Sequence, residues 1–171
     1  LVKADYQPTS EKLPLMPKFG MKMLITPDMD AITWYGRGIH ENYPDRKSSE
    51  FIGEYSLPLS DFVVNYPAPQ ENGNRCDVRW MSFSDGKLNL RVEGLQPLCF
   101  RAWPWSESDI EKAAHPFELP ENDFINVNID LNIHGVGCND GWGAQTLEKY
   151  TINANQPYSY GFILSYEEME K

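Results

Sequence analysis

Cysteine is scarce in this sequence: three of 171 residues, Cys76, Cys99 and Cys138, an odd number set far apart. That arithmetic argues against a disulfide framework of the kind that staples small secreted domains. Buried free thiols and a reducing compartment are the expectation. Apolar runs are short. No stretch approaches the roughly 20 apolar residues of a membrane span, and the N-terminus lacks the charged-then-apolar order of a signal peptide. Positive charge is also in short supply, with 15 Lys and Arg facing 25 Asp and Glu, a net charge of −10 and a pI near 4.7. Such a chain repels phosphate backbones and anionic lipid surfaces, so neither nucleic acid nor membrane is expected as a partner. A neutral polar ligand such as a sugar is compatible with it.

The length bounds the architecture. One domain of roughly 100–200 residues fits, whereas a (β/α)₈ barrel of typically about 250 does not, nor does a second full-sized domain. The chain opens on Leu1 rather than Met, with Pro8, Pro14 and Pro17 near its start, and is expected to be a piece excised from something longer. Residues 1–18 read as a linker or the remnant of a preceding strand, and 19–171 as the domain proper.

Helical periodicity is nearly absent, and alternation with period two dominates. Leu88, Leu90 and Val92 alternate with Lys87, Asn89 and Arg91, and Ile125, Val127, Ile129 and Leu131 alternate with Asn126, Asn128 and Asp130. Tyr158, Tyr160, Phe162, Leu164 and Tyr166 form another row, as do Val78, Trp80 and Ser82, and residues 21–25 and 31–35 add an earlier pair. Such rows are strands with one buried face, because successive side chains point to opposite sides. Asp85-Gly86 and Asn72-Gly73 mark turns; the first is expected to be a primed hairpin turn that needs the positive φ glycine tolerates. One short helix is predicted over residues 109–115, with Ser108 as cap, Glu111 completing a capping box and Pro116 as stop. Many short strands separated by turn residues predict an all-β fold, an antiparallel β-sandwich with that one short helix.

Three constellations could carry chemistry. Residues 34–46, Trp-Tyr-Gly-Arg-Gly-Ile-His-Glu-Asn-Tyr-Pro-Asp-Arg, concentrate aromatic and charged groups in a loop after a strand. Either the loop is functional, or Glu41, Asp45 and Arg46 pair with each other and with backbone amides to fix an irregular crossover, the reading preferred here. As a glycosidase acid and nucleophile, Glu41 and Asp45 would need to stand roughly 5–10 Å apart on either side of the scissile bond. Two residues four apart on one Pro-containing loop crowd the same side, so they are rejected as a catalytic pair. The second constellation is the glycine-rich run 135–143, Gly-Val-Gly-Cys-Asn-Asp-Gly-Trp-Gly. It fails as a nucleotide fingerprint, because Asp140 takes the place of the third glycine and no helix follows. It can present Trp142 at a loop tip, where indole offers a flat face to a pyranose; a Trp folded back into the core is the alternative. The third is the polar row Asn126, Asn128, Asp130 and Asn132, which reads as a solvated sheet face rather than a sugar groove. His134 and Cys138 lack further partners for a zinc site, no nucleophile elbow supports a catalytic triad, and no histidine is evidently coupled to a carboxylate. The Trp103-Pro104-Trp105 cluster fits a sugar platform or a buried corner equally.

Taken together, the 36–46 loop, the run 71–80 (Glu-Asn-Gly-Asn-Arg-Cys-Asp-Val-Arg-Trp) and the 135–143 loop resemble, in order and spacing, the C-terminal, small-chain-like fifth domain of bacterial β-galactosidases of glycoside hydrolase family 2. The resemblance runs from about Phe19 to Tyr166. It implies the second half of a galactose-mutarotase-like supersandwich attached behind a catalytic barrel of the same parent chain. The parent would hydrolyse terminal β-D-galactosides such as lactose. The two catalytic glutamates and a magnesium site would lie in that barrel, so this chain would hold no catalytic residue, cofactor or metal, and be inactive alone. The family's Gly-Gly-Asp-Asp-Ser-Trp loop reads here Gly137-Cys138-Asn139-Asp140-Gly141-Trp142. Trp142 inherits the sugar-stacking role, with Gly137, Asn139 and Asp140 as loop support; Cys138, Asn139 and Gly141 depart from the pattern. Residues Glu41, Asn42, Tyr43, Pro44, Asp45 and Arg46 match unchanged and take a scaffold role near the barrel interface. A galactoside substrate, a homo-oligomeric parent and a cytoplasmic location, with a periplasmic one as alternative, complete the expectations. The rivals are a free-standing carbohydrate-binding module and a mutarotase-like enzyme, which would need a His and a carboxylate as acid and base.

Overall fold

In a computed structural model, which describes residues 1–137 and 143–169, the alternating rows become strands. They are β1 (Val2–Tyr6), β2 (Lys18–Ile25), β3 (Ala31–Gly38), β4 (Phe51–Pro58), β5 (Arg75–Ser84), β6 (Leu88–Trp103), β7 (Ile125–Ile133) and β8 (Tyr158–Glu168). All pairings between them are antiparallel. The main path runs β1-β8-β6-β5-β3-β4, while β7 joins β6 and carries β2.

One strand makes this arrangement a sandwich. The first half of β6, Leu88 to Gly94, pairs with β8, and its last residues, Cys99 to Trp103, pair with β7. Between the halves lies Pro97, which has no N–H to give a ladder, and the register against β5 shifts around Val78. The long strand therefore turns a corner and feeds two layers. Trp34, Phe62, Phe83, Val92, Phe100 and Ile125 are fully buried between them, each stabilising the fold by roughly 1.5–3 kcal/mol. The Tyr160 hydroxyl on β8 crosses the core to donate to the Ile129 carbonyl of β7 at 2.9 Å.

Several expectations need correction. The segment read as a linker or remnant includes β1, whose Val2, Ala4 and Tyr6 face inward and which pairs with β8. The helix α2 spans Glu107–Lys112 and is capped by Ser106, not Ser108, with Asp109 rather than Glu111 closing the capping box. That frame turns Ile110 into the core. A second helix, the single turn α1 (Leu59–Phe62), inserts Phe62 edge-on against Trp34 at 5.6 Å. The hairpin after β5 has a three-residue loop in which Gly86 alone has positive φ, +80°, and Asp85 accepts the Lys87 and Leu88 amides.

Candidate functional site

The sequence motifs at 36–46, 71–76 and 135–137 meet at one end of the sandwich. Residues 43–46 form a tight turn, with the Arg46 amide donating to the Tyr43 carbonyl at 2.9 Å, and Pro44 suits its second position. Asp45 sits at the tip. Its carboxylate accepts the amides of Val136 at 3.2 Å and Gly137 at 2.5 Å. The glycines are required by this approach: a Cβ on Gly135 would stand 2.7 Å from the Asp45 carboxyl carbon, and one on Gly137 2.7 Å from its oxygen. On the far limb, the Thr146 hydroxyl donates to the carbonyls of Gly135, at 3.0 Å, and Gly137. Both limbs of the loop are thus fastened at its base. Trp142, Asp140 and Asn139, named from the sequence as shelf and support, lie outside the described residues, as does Cys138.

Behind Asp45 the turn is braced. The Glu41 carboxylate accepts from Arg46, from the Tyr66 hydroxyl and, at 2.7 Å, from the Gly73 amide. The Arg46 guanidinium lies 4.9 Å over the Tyr43 ring, and Tyr43 is fully buried. Asn42, also buried, accepts the Cys76 amide on its side chain at 2.8 Å and donates to the His40 carbonyl at 3.0 Å. Asn74 returns a bond from its side chain to the Asn42 carbonyl at 2.7 Å. Glu41, Asp45 and Arg46 spend their polar groups on this framework. Asp77 anchors the neighbouring crossover: burial opposes its charge, but hydrogen bonds from Arg37 and Lys47 outweigh that and hold its pKa below the usual carboxylate value.

Alongside the loop base a cavity of about 410 Å³ opens, with Leu15, Lys18, Glu71, His134, Val136 and Gln145 on its wall. His134 Nδ1 is 2.6 Å from the Gly135 carbonyl oxygen. Contrary to expectation, one histidine is coupled to a carboxylate: His40 Nδ1 lies 3.4 Å from Glu50 Oε1, and Glu50 also accepts the His40 amide. That His40 side chain is 81% exposed.

The larger correction concerns the row on β7. Asn126, Asn128 and Asp130 are buried, at 1, 4 and 2% exposure, rather than solvated; Asn132 is exposed. Arg101 meets this row from β6, opposite Asn128 in register. Its guanidinium stacks on the Trp103 ring at 3.2 Å and reaches Glu71, Glu107 at 2.8 Å and Asn128 at 2.9 Å. Trp103 is a buried corner, with Nε1 donating to the Asn72 carbonyl at 3.0 Å. Burial pushes Asp130 up to about 7 against the pull of Lys18 and Arg101, raises Glu71, and lowers Lys18. The sequence signal was Arg101 itself, a lone charge inside the apolar run 98–103. Among the described residues no three His, Cys, Asp or Glu side chains converge to hold a metal ion.

A family model described as the beta galactosidase small chain matches residues 1–164. The sequence is 36% identical over 156 residues to a β-galactosidase of Priestia megaterium, covering 91% of this chain and 15% of that protein. It is 31% identical over 168 residues to one of Halalkalibacterium halodurans, covering 96% and 17%, and 36% identical over 157 residues to one of Pseudoalteromonas haloplanktis, covering 91% and 14%. The chain spans about a sixth of the length of these curated relatives.

Proposed function

This chain belongs to the beta galactosidase small chain family, and from that membership we propose that it is the C-terminal sandwich of a family 2 glycoside hydrolase. The parent removes terminal β-D-galactosyl groups, as in lactose, with retention of configuration. The chemistry belongs to two glutamates of a barrel elsewhere in the parent chain, where the magnesium ion would also be held. This domain contributes Trp142, whose indole forms a flat wall for the sugar.

The observation that carries the reading is the fastened loop base. Asp45 and Thr146 hold residues 135–137 in place, so the segment that follows starts from a fixed point. An indole wall positions substrate rather than moving protons, and binding energy from such a remote contact can be spent on orientation at the reacting bond.

Two assays on the isolated 171-residue chain test this. It should show no turnover of a chromogenic β-galactoside; measurable hydrolysis would overturn the proposal. Calorimetric titration with galactosides should show no millimolar binding, whereas such binding would favour a self-sufficient carbohydrate-binding module.

A further inference from the structure

Cys76 on β5 and Cys99 on β6 are 1% and 5% exposed and share a small core with Tyr43 and Ile133. The ladder pairs Arg75 with Phe100 and Val78 with Leu98, and the irregularity between Arg75 and Val78 leaves the two cysteines facing across it. Their Sγ atoms are 3.5 Å apart. A disulfide needs about 2.05 Å, so about 1.5 Å of closure separates the thiols from a bond. A cavity of about 270 Å³ has both cysteines on its wall, with Lys47, Asp77 and Tyr150 around them. Since a water molecule takes about 30 Å³ of liquid volume, a peroxide can enter.

We propose that Cys76 and Cys99 are a peroxide-oxidisable dithiol, with Cys76 the attacking sulfur and Cys99 the resolving one. The geometry assigns the roles. Cys76 Sγ accepts from the Cys99 thiol at 3.5 Å and from Asn74 Nδ2 at 3.3 Å and lies 3.5 Å from the Asn42 carbonyl oxygen, so the polar contacts of the pair converge on the Cys76 sulfur. The hydrogen bond to Cys76 and burial both push the Cys99 thiol well above its ordinary value, keeping it protonated as donor. The Cys76 thiolate attacks one oxygen of hydrogen peroxide; the O–O bond breaks, and hydroxide leaves and takes up a proton to become water. Cys99, giving up its proton, then displaces the hydroxyl of the Cys76 sulfenic acid as a second water, closing the S–S bond. Two thiols are oxidised and one peroxide is reduced to two waters. The pair is in contact with the loop framework, because the Cys76 amide is held by Asn42, three residues before Asp45.

The test uses the intact protein carrying these residues, both as wild type and as Cys138→Ser to exclude the third thiol. After hydrogen peroxide, the protein is denatured, alkylated and digested for mass spectrometry. The expected product joins the Cys76 and Cys99 peptides, is lighter by two hydrogen atoms and is separated by dithiothreitol. Alkylation of both cysteines, a sulfinic acid at either without linkage, or a link to Cys138 instead would overturn the proposal. In Cys99→Ser, oxidation should stop at a Cys76 sulfenic acid trapped by a 1,3-dicarbonyl reagent; a folded variant without that adduct would also overturn it. The wild-type linkage does not depend on how the variants fold.

Discussion

At Asp45 a single carboxylate fixes two amides of the glycine loop, and Asp45→Asn replaces one of those acceptor oxygens with a donor. Hydrogen bonds to a charged acceptor are worth about 1.5–3 kcal/mol, less where solvent screens them, so the loop base should loosen by about 1–2 kcal/mol. Faster amide exchange at Val136 and Gly137 is expected, together with a raised KM and little change in kcat in the intact enzyme; unchanged exchange would contradict the role. Asp130 is a different case. Its folded pKa, about 7, lies above the unfolded value near 3.9, so the native state holds a proton that the unfolded state has already released. Stability from this group is present below about pH 4 and is lost as pH rises through 7. Lys18 and Arg101 face the carboxylate as cations and Glu71 as a second acid. Asp130→Asn should flatten the decline between pH 5 and 8 in urea unfolding midpoints; an equal slope in both proteins would refute it. Neither role was legible in the sequence. Asp45 is a turn residue acting 91 positions away, and Asp130 alternates as a solvated residue does, its burial coming from a neighbouring strand, where a Cβ on Gly20 would stand 1.9 Å from the Asp130 carboxylate oxygen.

The elements were more legible where alternation was long. The rows at 88–92, 125–131 and 158–166 fall within β6, β7 and β8, because a half-buried strand writes its pattern directly into sequence. β1 carries the same pattern over Val2, Ala4 and Tyr6, but it is only five residues long and the prolines that follow masked it. The corner in β6 was not legible, since one strand serves two neighbours only once the partners are known. For α2, Ser106 and Ser108 each have an acid three residues on, and burial of Ile110 decides between the frames. Ser106→Ala removes the cap on the Asp109 amide and should cost about 1 kcal/mol, lowering Tm by about 2–4 °C for a domain this size. Ser108→Ala should leave Tm unchanged; a larger effect there than at Ser106 would contradict the assignment.

For the whole molecule, the acidic surface, the two-layer core and the convergence of three distant motifs form one scheme. The sandwich is a rigid platform, and its corner gathers the loops that the sequence spreads over a hundred residues. β4 ends the sheet on one side, with Phe51 78% and Ile52 42% exposed. An open edge of this kind pairs with other chains unless it is covered or charged. The isolated chain is therefore expected to self-associate with concentration in sedimentation velocity, and Ile52→Lys to reduce this; a monomer at all concentrations would show the edge to be protected already.

The central claim is that this domain lends a sugar-stacking indole to chemistry performed elsewhere in the parent, and steady-state kinetics of Trp142→Ala in the intact enzyme address it most directly. The account predicts KM for lactose raised about tenfold or more, the factor that 1.4 kcal/mol represents, with the pH profile of kcat unmoved; wild-type KM in a folded Trp142→Ala enzyme would contradict it.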